Sequence, residues 1–179
     1  MGLKLLSNVI RPCHGMIRFA DLISTETQQQ IYEDFPYEVY TDGSACDESG
    51  GIAAVLVKGN FILREISQRF IGPEVTNVRM EVMAVLVALR EFKYPQMTIY
   101  SDYQLLSQGC ELLRRHERVP DYYIQYKNAD LWYELATEIV ARPGVTVQWV
   151  EGHSGRPGNT LANRLALRQA RGLEHYPTS

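Results

Sequence analysis

The sequence predicts an α/β fold, a five-stranded mixed β-sheet flanked by α-helices. Three observations carry that expectation. Three strand-like runs come first, between residues 37 and 70, and helix and strand patterns then alternate as far as residue 171. Neighbouring strands joined by tight turns pair antiparallel, whereas strands separated by helices pair in parallel, so the sheet should be mixed. A chain of 179 residues with 45% hydrophobic content can also bury one good core, which makes one domain the default.

Taken in order, residues 1–36 read as an N-terminal extension of unknown role. Within it "STETQQQIYED" has Thr25 and Gln28 at capping-box spacing, so a short helix is expected that Pro36 closes off. The alternation in "YEVYTDGS" (37–44) begins the first strand. "GGIAAVLVKGNFILREISQRF" supplies two more, joined at Gly59-Asn60. "TNVRMEVMAVLVALREF" (76–92) is a strong helix with a Thr/Asn start, and "MTIYSD" (97–102) is the fourth strand. Helical patterns follow at 103–115 and 128–141, then the strand "VTVQWVEG" (145–152) and a last helix at 158–171. The domain is therefore expected over 37–171, with 172–179 as a tail.

The formal net charge is −3, which argues against a surface coated in phosphate-binding cations. Local charge is uneven. Residues 142–171 contain five arginines against Glu151 alone, and "RRHERVPDYYIQYK" (114–127) interleaves basic residues with tyrosines. Such runs usually form a solvated surface, though a basic face suits a polyanion. Three widely spaced cysteines (Cys13, Cys46 and Cys110) argue against a disulfide framework and for a reducing compartment, so a cytoplasmic location is expected. Cys13-His14 has no second pair at zinc-ligand spacing. No apolar stretch is long enough to span a bilayer, and the N-terminal apolar run is too short and too broken by Pro12 for a transit peptide.

Three acids are out of place. Asp42 and Asp102 each end a strand-like run. Either alone would ordinarily be a turn residue or a helix cap, but a sheet can bring two strand ends together, where ligands favour α/β sheets. Glu81 is the only polar residue in "MEVMAVLVAL" (80–89). A carboxylate in such surroundings loses hydration unless a cation or donors compensate; the alternative is a place at the rim of a first turn, favoured by the helix dipole. Arg79 lies two residues away and so points in another direction. Oxygen ligands alone suit Mg²⁺ or Mn²⁺ and not zinc, and two such ions ~3.5–4 Å apart serve in-line phosphoryl displacement.

In order and spacing, "YTDGS", "TNVRMEVMAVLVAL", "YSDYQ", "KNADLW" and "VEGHSGRPGNTLAN-LA" resemble the motifs of type 1 ribonuclease H, over roughly Tyr37 to Arg171. The resemblance implies the ribonuclease H-like fold, with its five-stranded mixed sheet. It also implies metal-dependent hydrolysis of the RNA strand of RNA–DNA hybrids, leaving 5′-phosphate ends, with two Mg²⁺ ions bound alongside substrate and Mn²⁺ as a substitute. Asp42, Glu81 and Asp102 resemble the first three metal-binding carboxylates. His153 stands where the family has a mobile histidine linked to proton transfer or product release. Alone, a histidine in a Gly-rich loop would more often be solvated and idle. Gly43, Ser44, Thr76, Asn77, Gln104, Arg114 and Arg115 fall where the family binds substrate. Residues 103–127 resemble a short form of its basic handle, and Trp132 looks like a core anchor. Shape reading of the hybrid predicts little sequence preference and binding that weakens with salt. A monomer without an obligate protein partner is expected.

Two positions depart from the family pattern. Asn163, in "GNTLAN", replaces an expected aspartate. An amide oxygen can approach a metal but carries no charge, so an attenuated enzyme is expected; the alternative is a catalytically impaired hybrid-binding protein. The loop "DGSACDESGG" carries Asp47 and Glu48, whose charge would repel a phosphate path. An integrase or transposase shares the strand-end aspartates but lacks "GHSG–GN", whereas a detached retroelement ribonuclease H domain carries the same motifs.

Overall fold

The computed structural model describes residues 17–18, 35–119, 128–153 and 155–173. The short helix expected at "STETQQQIYED" lies outside them, as does the second half of the basic run at 114–127. The elements in chain order are β1 (Ile17–Arg18), β2 (Tyr37–Cys46), β3 (Ser49–Lys58), β4 (Phe61–Ile71) and α1 (Asn77–Glu91). Then come β5 (Met97–Ser101), α2 (Gln104–Arg114), α3 (Ala129–Ala141), β6 (Val145–Trp149) and α4 (Pro157–Ala170).

The five expected strands form one mixed sheet in the order β4-β3-β2-β5-β6, and β1 adds two residues at the β4 edge. Strands β2, β3 and β4 pair antiparallel; β2–β5 and β5–β6 pair in parallel. That mixture is what hairpin and crossover connections dictate. β1 pairs in parallel with β4, Ile17 opposite Phe61.

β3 is buried along nearly its whole length because helices cover both faces of the sheet. On one face, α1, α2 and α3 close over Val39, Leu56, Ile99 and Val147, with Trp132 and Leu135 at the centre. On the other, α4 lays Leu161, Ala162 and Ala166 against Tyr40, Ala53 and Val55. The small residues of α4 allow close approach: a Cβ on Gly51 would fall 2.0 Å from the Ala166 carbonyl oxygen. Trp132 is 3% exposed, and Gly109 of α2 leaves the space its ring occupies. Arg79 forks onto Asp130 at 3.1 and 2.7 Å, and Arg90 meets Glu134 at 2.7 Å, tying α1 to α3 at the surface.

β2 runs four residues past Asp42, further than the alternation suggested. The extra residues pair only with β3, while β2 leaves β5 after Tyr40. Asp42 therefore sits where β2 and β5 diverge, and a gap opens there for a ligand.

Candidate active site

Each carboxylate of the site is placed by a different element. Asp42 comes from β2 at the divergence, Asp102 directly follows the last residue of β5, and Glu81 sits in the second turn of α1. Ligand oxygens of all three lie within 4.8 Å of one another. Asp42 and Glu81 are buried, and Asp102 is partly exposed.

Local structure enforces this convergence. Thr76 caps α1, its hydroxyl accepting from the Arg79 N–H at 3.1 Å. The Asn77 side-chain oxygen accepts from the Ala45 N–H at 2.7 Å, which ties the start of α1 to the end of β2. Gly43 then lets the two elements touch, since a Cβ there would fall 2.2 Å from the Glu81 nitrogen and the Met80 carbonyl carbon. The Gly43 backbone also hydrogen-bonds to the Glu81 carboxylate.

The electrostatics follow from the geometry. Burial, and then the charge of Asp102, push the Asp42 carboxyl up to about 7. Burial raises Glu81 well above the ordinary carboxylate range, with Asp42 and Asp102 adding to the effect and the Gly43 hydrogen bond opposing it. One buried Glu81 oxygen, Oε2, has no hydrogen-bond partner. Crowded acids with an orphaned buried oxygen are a poor arrangement for an empty protein and a good one for a hard divalent cation, so these residues fit such an ion.

The remaining site residues form a more open rim. His153 is exposed, with a left-handed backbone (φ 57°), and its Nδ1 lies 3.5 Å from the Asn163 side-chain nitrogen on α4. Thr76, Asn77 and Gln104 are exposed, whereas Gly43 is buried and Ser44 half-buried. Gly43 thus has a packing role that its place in a motif did not reveal. Arg114 turns inward and donates to the Val145 carbonyl oxygen, and Arg115 pairs with Glu111 at 2.8 Å. Both arginines expected to grip substrate therefore already hold protein partners. Asp47 and Glu48 sit at the exposed β2–β3 turn, where Asp47 takes φ 53°.

Sequence reasoning missed a support under α4. Tyr40 stacks on Tyr100 with ring centroids 5.1 Å apart, the Arg156 guanidinium lies 5.6 Å over the Tyr100 ring, and Tyr100 donates to Glu38 at 3.4 Å. Arg156 precedes α4, so this stack anchors the loop between His153 and the helix. The signal was the period of two that places Glu38 and Tyr40 on one face. Trp149 was also missed: its indole N–H donates to the Asp102 carbonyl oxygen at 3.1 Å.

The family model for RNase H matches residues 35–171. A ribonuclease H of Stutzerimonas stutzeri is 38% identical over 146 residues, covering 73% of this chain and 89% of that protein. One from Marinobacter nauticus is 40% identical over 145 residues, 75% of this chain and 94% of that protein. Among solved structures, RNase H1 of Halobacterium salinarum superimposes with TM-score 0.55 at 21% identity, covering 76% of this chain and 98% of that one. The prototype foamy virus protease-reverse transcriptase gives TM-score 0.62 at 20% identity over 76% of this chain and 21% of the viral one. These structures share the fold. The sequence match spans every element from β2 to α4, including the two strands and the helix that place Asp42, Asp102 and Glu81, and on that ground the chain belongs to the RNase H family.

Proposed function

We propose that this ribonuclease H cleaves the RNA strand of RNA–DNA hybrids at the Asp42–Glu81–Asp102 cluster. The observation that carries the reading is the convergence of three carboxylates within 4.8 Å, in a chain of this family. Asp42, Glu81 and Asp102 would hold Mg²⁺, or Mn²⁺ in its place, as two ions when substrate is bound. Bound there, the cations supply charge neutralisation and Lewis acidity for in-line displacement at the scissile phosphate.

The chain's own groups do the rest. Asp42 and Glu81, buried and interlocked through Gly43, hold ligand oxygens in a fixed geometry that costs no reorganisation during reaction. His153, exposed at the rim, can accept and release a proton near the leaving oxygen. Exposed Thr76, Asn77 and Gln104 offer hydrogen bonds to sugar and phosphate edges, which read duplex shape rather than base sequence. Asn163 beside His153 keeps the shape of an aspartate without its charge, so the proposed enzyme holds cations less tightly and works at an attenuated rate. Among the described residues no helix is long and apolar enough to cross a membrane. We place the activity in a reducing cytoplasm, in a monomer, consistent with the free Cys46 and Cys110.

The test is cleavage of a labelled RNA–DNA hybrid with Mg²⁺ and with Mn²⁺, beside single-stranded RNA, duplex RNA and duplex DNA. Hybrid-only cutting that disappears in Asp42→Asn is the expected result. Hybrid binding without any cutting under either metal would instead support the impaired, hybrid-binding alternative.

A further inference from the structure

The molecule has two tryptophans, and they are used in opposite ways. Trp132 is 3% exposed in the core, while Trp149 is 49% exposed at the carboxyl end of β6. An aromatic ring of that size left half in water is ordinary when it stands alone on a surface. Trp149 does not stand alone. Its indole N–H is bonded to the Asp102 carbonyl oxygen at 3.1 Å, and the next residue, Val150, donates its N–H to the Ser101 carbonyl at 3.0 Å. The ring is therefore held in one orientation by the residue that carries a candidate metal-binding carboxylate.

Trp149 also forms one wall of a shallow groove of about 410 Å³. The groove continues over Val147 and Gln148 of β6 to Ser107, Gln108 and Leu112 of α2. Its only acid, Glu111, is paired with Arg115 at 2.8 Å, so the lining is nearly neutral. A neutral groove beside an acidic cluster is poorly suited to a second cation. It suits the sugar edge of a nucleic-acid strand, whose ribose faces pack on an aromatic plane and whose 2′-hydroxyls meet amides and hydroxyls.

We propose that Trp149 is a substrate-contacting residue, a fixed platform on which a ribose of the cut strand packs beside the Asp102 side of the active site. The inference rests on the ribonuclease reading above, because a strand passing the carboxylates is what brings a sugar to the ring. The indole N–H fixes the ring and the exposed face makes the contact. Trp149 thus contributes to binding the RNA strand near the cut.

The test uses the full chain in EDTA, where a short RNA–DNA hybrid can bind without being cut, and follows intrinsic tryptophan emission. Binding should shift the emission of the wild-type protein to shorter wavelength as the ring loses water, and Trp149→Phe, which retains only buried Trp132, should show no shift. Trp149→Ala should weaken hybrid binding about 10-fold and raise KM more than it lowers kcat. Trp149→Phe keeps an aromatic face and should stay within about 3-fold of wild type. If wild type binds but its emission does not move, or if Trp149→Phe shifts as wild type does, the platform is wrong. If Phe and Ala both lower kcat at unchanged affinity, Trp149 acts only through Asp102 and the contact is wrong. A wild-type protein that neither binds nor cuts hybrid overturns the ribonuclease reading itself, a result separable from the others.

Discussion

The two halves of the site are built to different standards. The β2–α1 half is core: Asp42 and Glu81 are buried, and Gly43 brings strand and helix within van der Waals contact. The β6–α4 half is surface: His153 is exposed on a left-handed backbone, and its 3.5 Å approach to Asn163 is a loose one. The difference teaches where this fold invests rigidity. Oxygens proposed to bind metal must be held against their own repulsion, so they are embedded in packing, whereas a rim proposed to transfer protons works from solvent. Substitutions in the first half should therefore act on stability and chemistry together, and those in the second on chemistry alone.

The largest effect expected is at Gly43. Adding a methyl 2.2 Å from the Glu81 nitrogen must push α1 away from β2, because the obstacle is backbone and cannot rotate aside. Gly43→Ala should lower stability by about 2–3 kcal/mol and the Tm by roughly 5–10 °C, with cutting reduced at least 10-fold. Calorimetry and hybrid cleavage read the two effects. An unchanged Tm would show that the two elements are not interlocked.

Asn163 should behave in the opposite manner. Asn163→Asp adds a charge on the open rim, so cutting should rise about 10–100-fold and the Mg²⁺ needed for half-maximal rate should fall. The Tm in EDTA should move by less than about 2 °C, since Asn163 is only partly buried. A rate gain accompanied by a large loss of stability would mean that this rim is as tightly packed as the other half.

A smaller effect follows from the Asp42 carboxyl, which burial and Asp102 push up to about 7. Between the ordinary aspartate value of 3.8 and about 7, the folded protein keeps a proton that the unfolded chain has released. Stability of the metal-free protein should therefore fall as pH rises across that window and remain low above it. In EDTA the Tm should be several degrees higher at pH 5.5 than at pH 8, beyond what Asp42→Asn shows over the same range. Saturating Mg²⁺ should remove most of the difference by replacing the proton as counter-charge. A variant profile parallel to wild type would locate the pH dependence elsewhere.

The smallest effect belongs to Arg115, exposed and paired with Glu111 on the same helix. Arg115→Ala should change stability by less than about 0.5 kcal/mol. If Arg115 also meets phosphate, hybrid affinity should fall and the slope of log affinity against log salt should flatten by about 0.9. An unaltered slope would leave it as a surface pair and remove it from the binding face.

Much of this was legible in the chain itself. Among the described residues, period-two and helical patterning located the five main strands and four helices, because which face is buried is encoded residue by residue. Glu81 stood out for the same reason: a lone carboxylate in an apolar helix needs a partner wherever that helix is placed. The motifs from Tyr37 to Arg171 then named the family. What they left undetermined depends on distances between segments remote in sequence. Only tertiary structure showed Gly43 seated against the α1 backbone, Arg114 turned inward to the Val145 carbonyl and Trp149 bonded to Asp102. Local pattern records which way a side chain faces along its own element. Whether a Cβ would clash, or a cation already has a partner, is decided by how closely two elements approach, and that distance exists only once the whole core has packed.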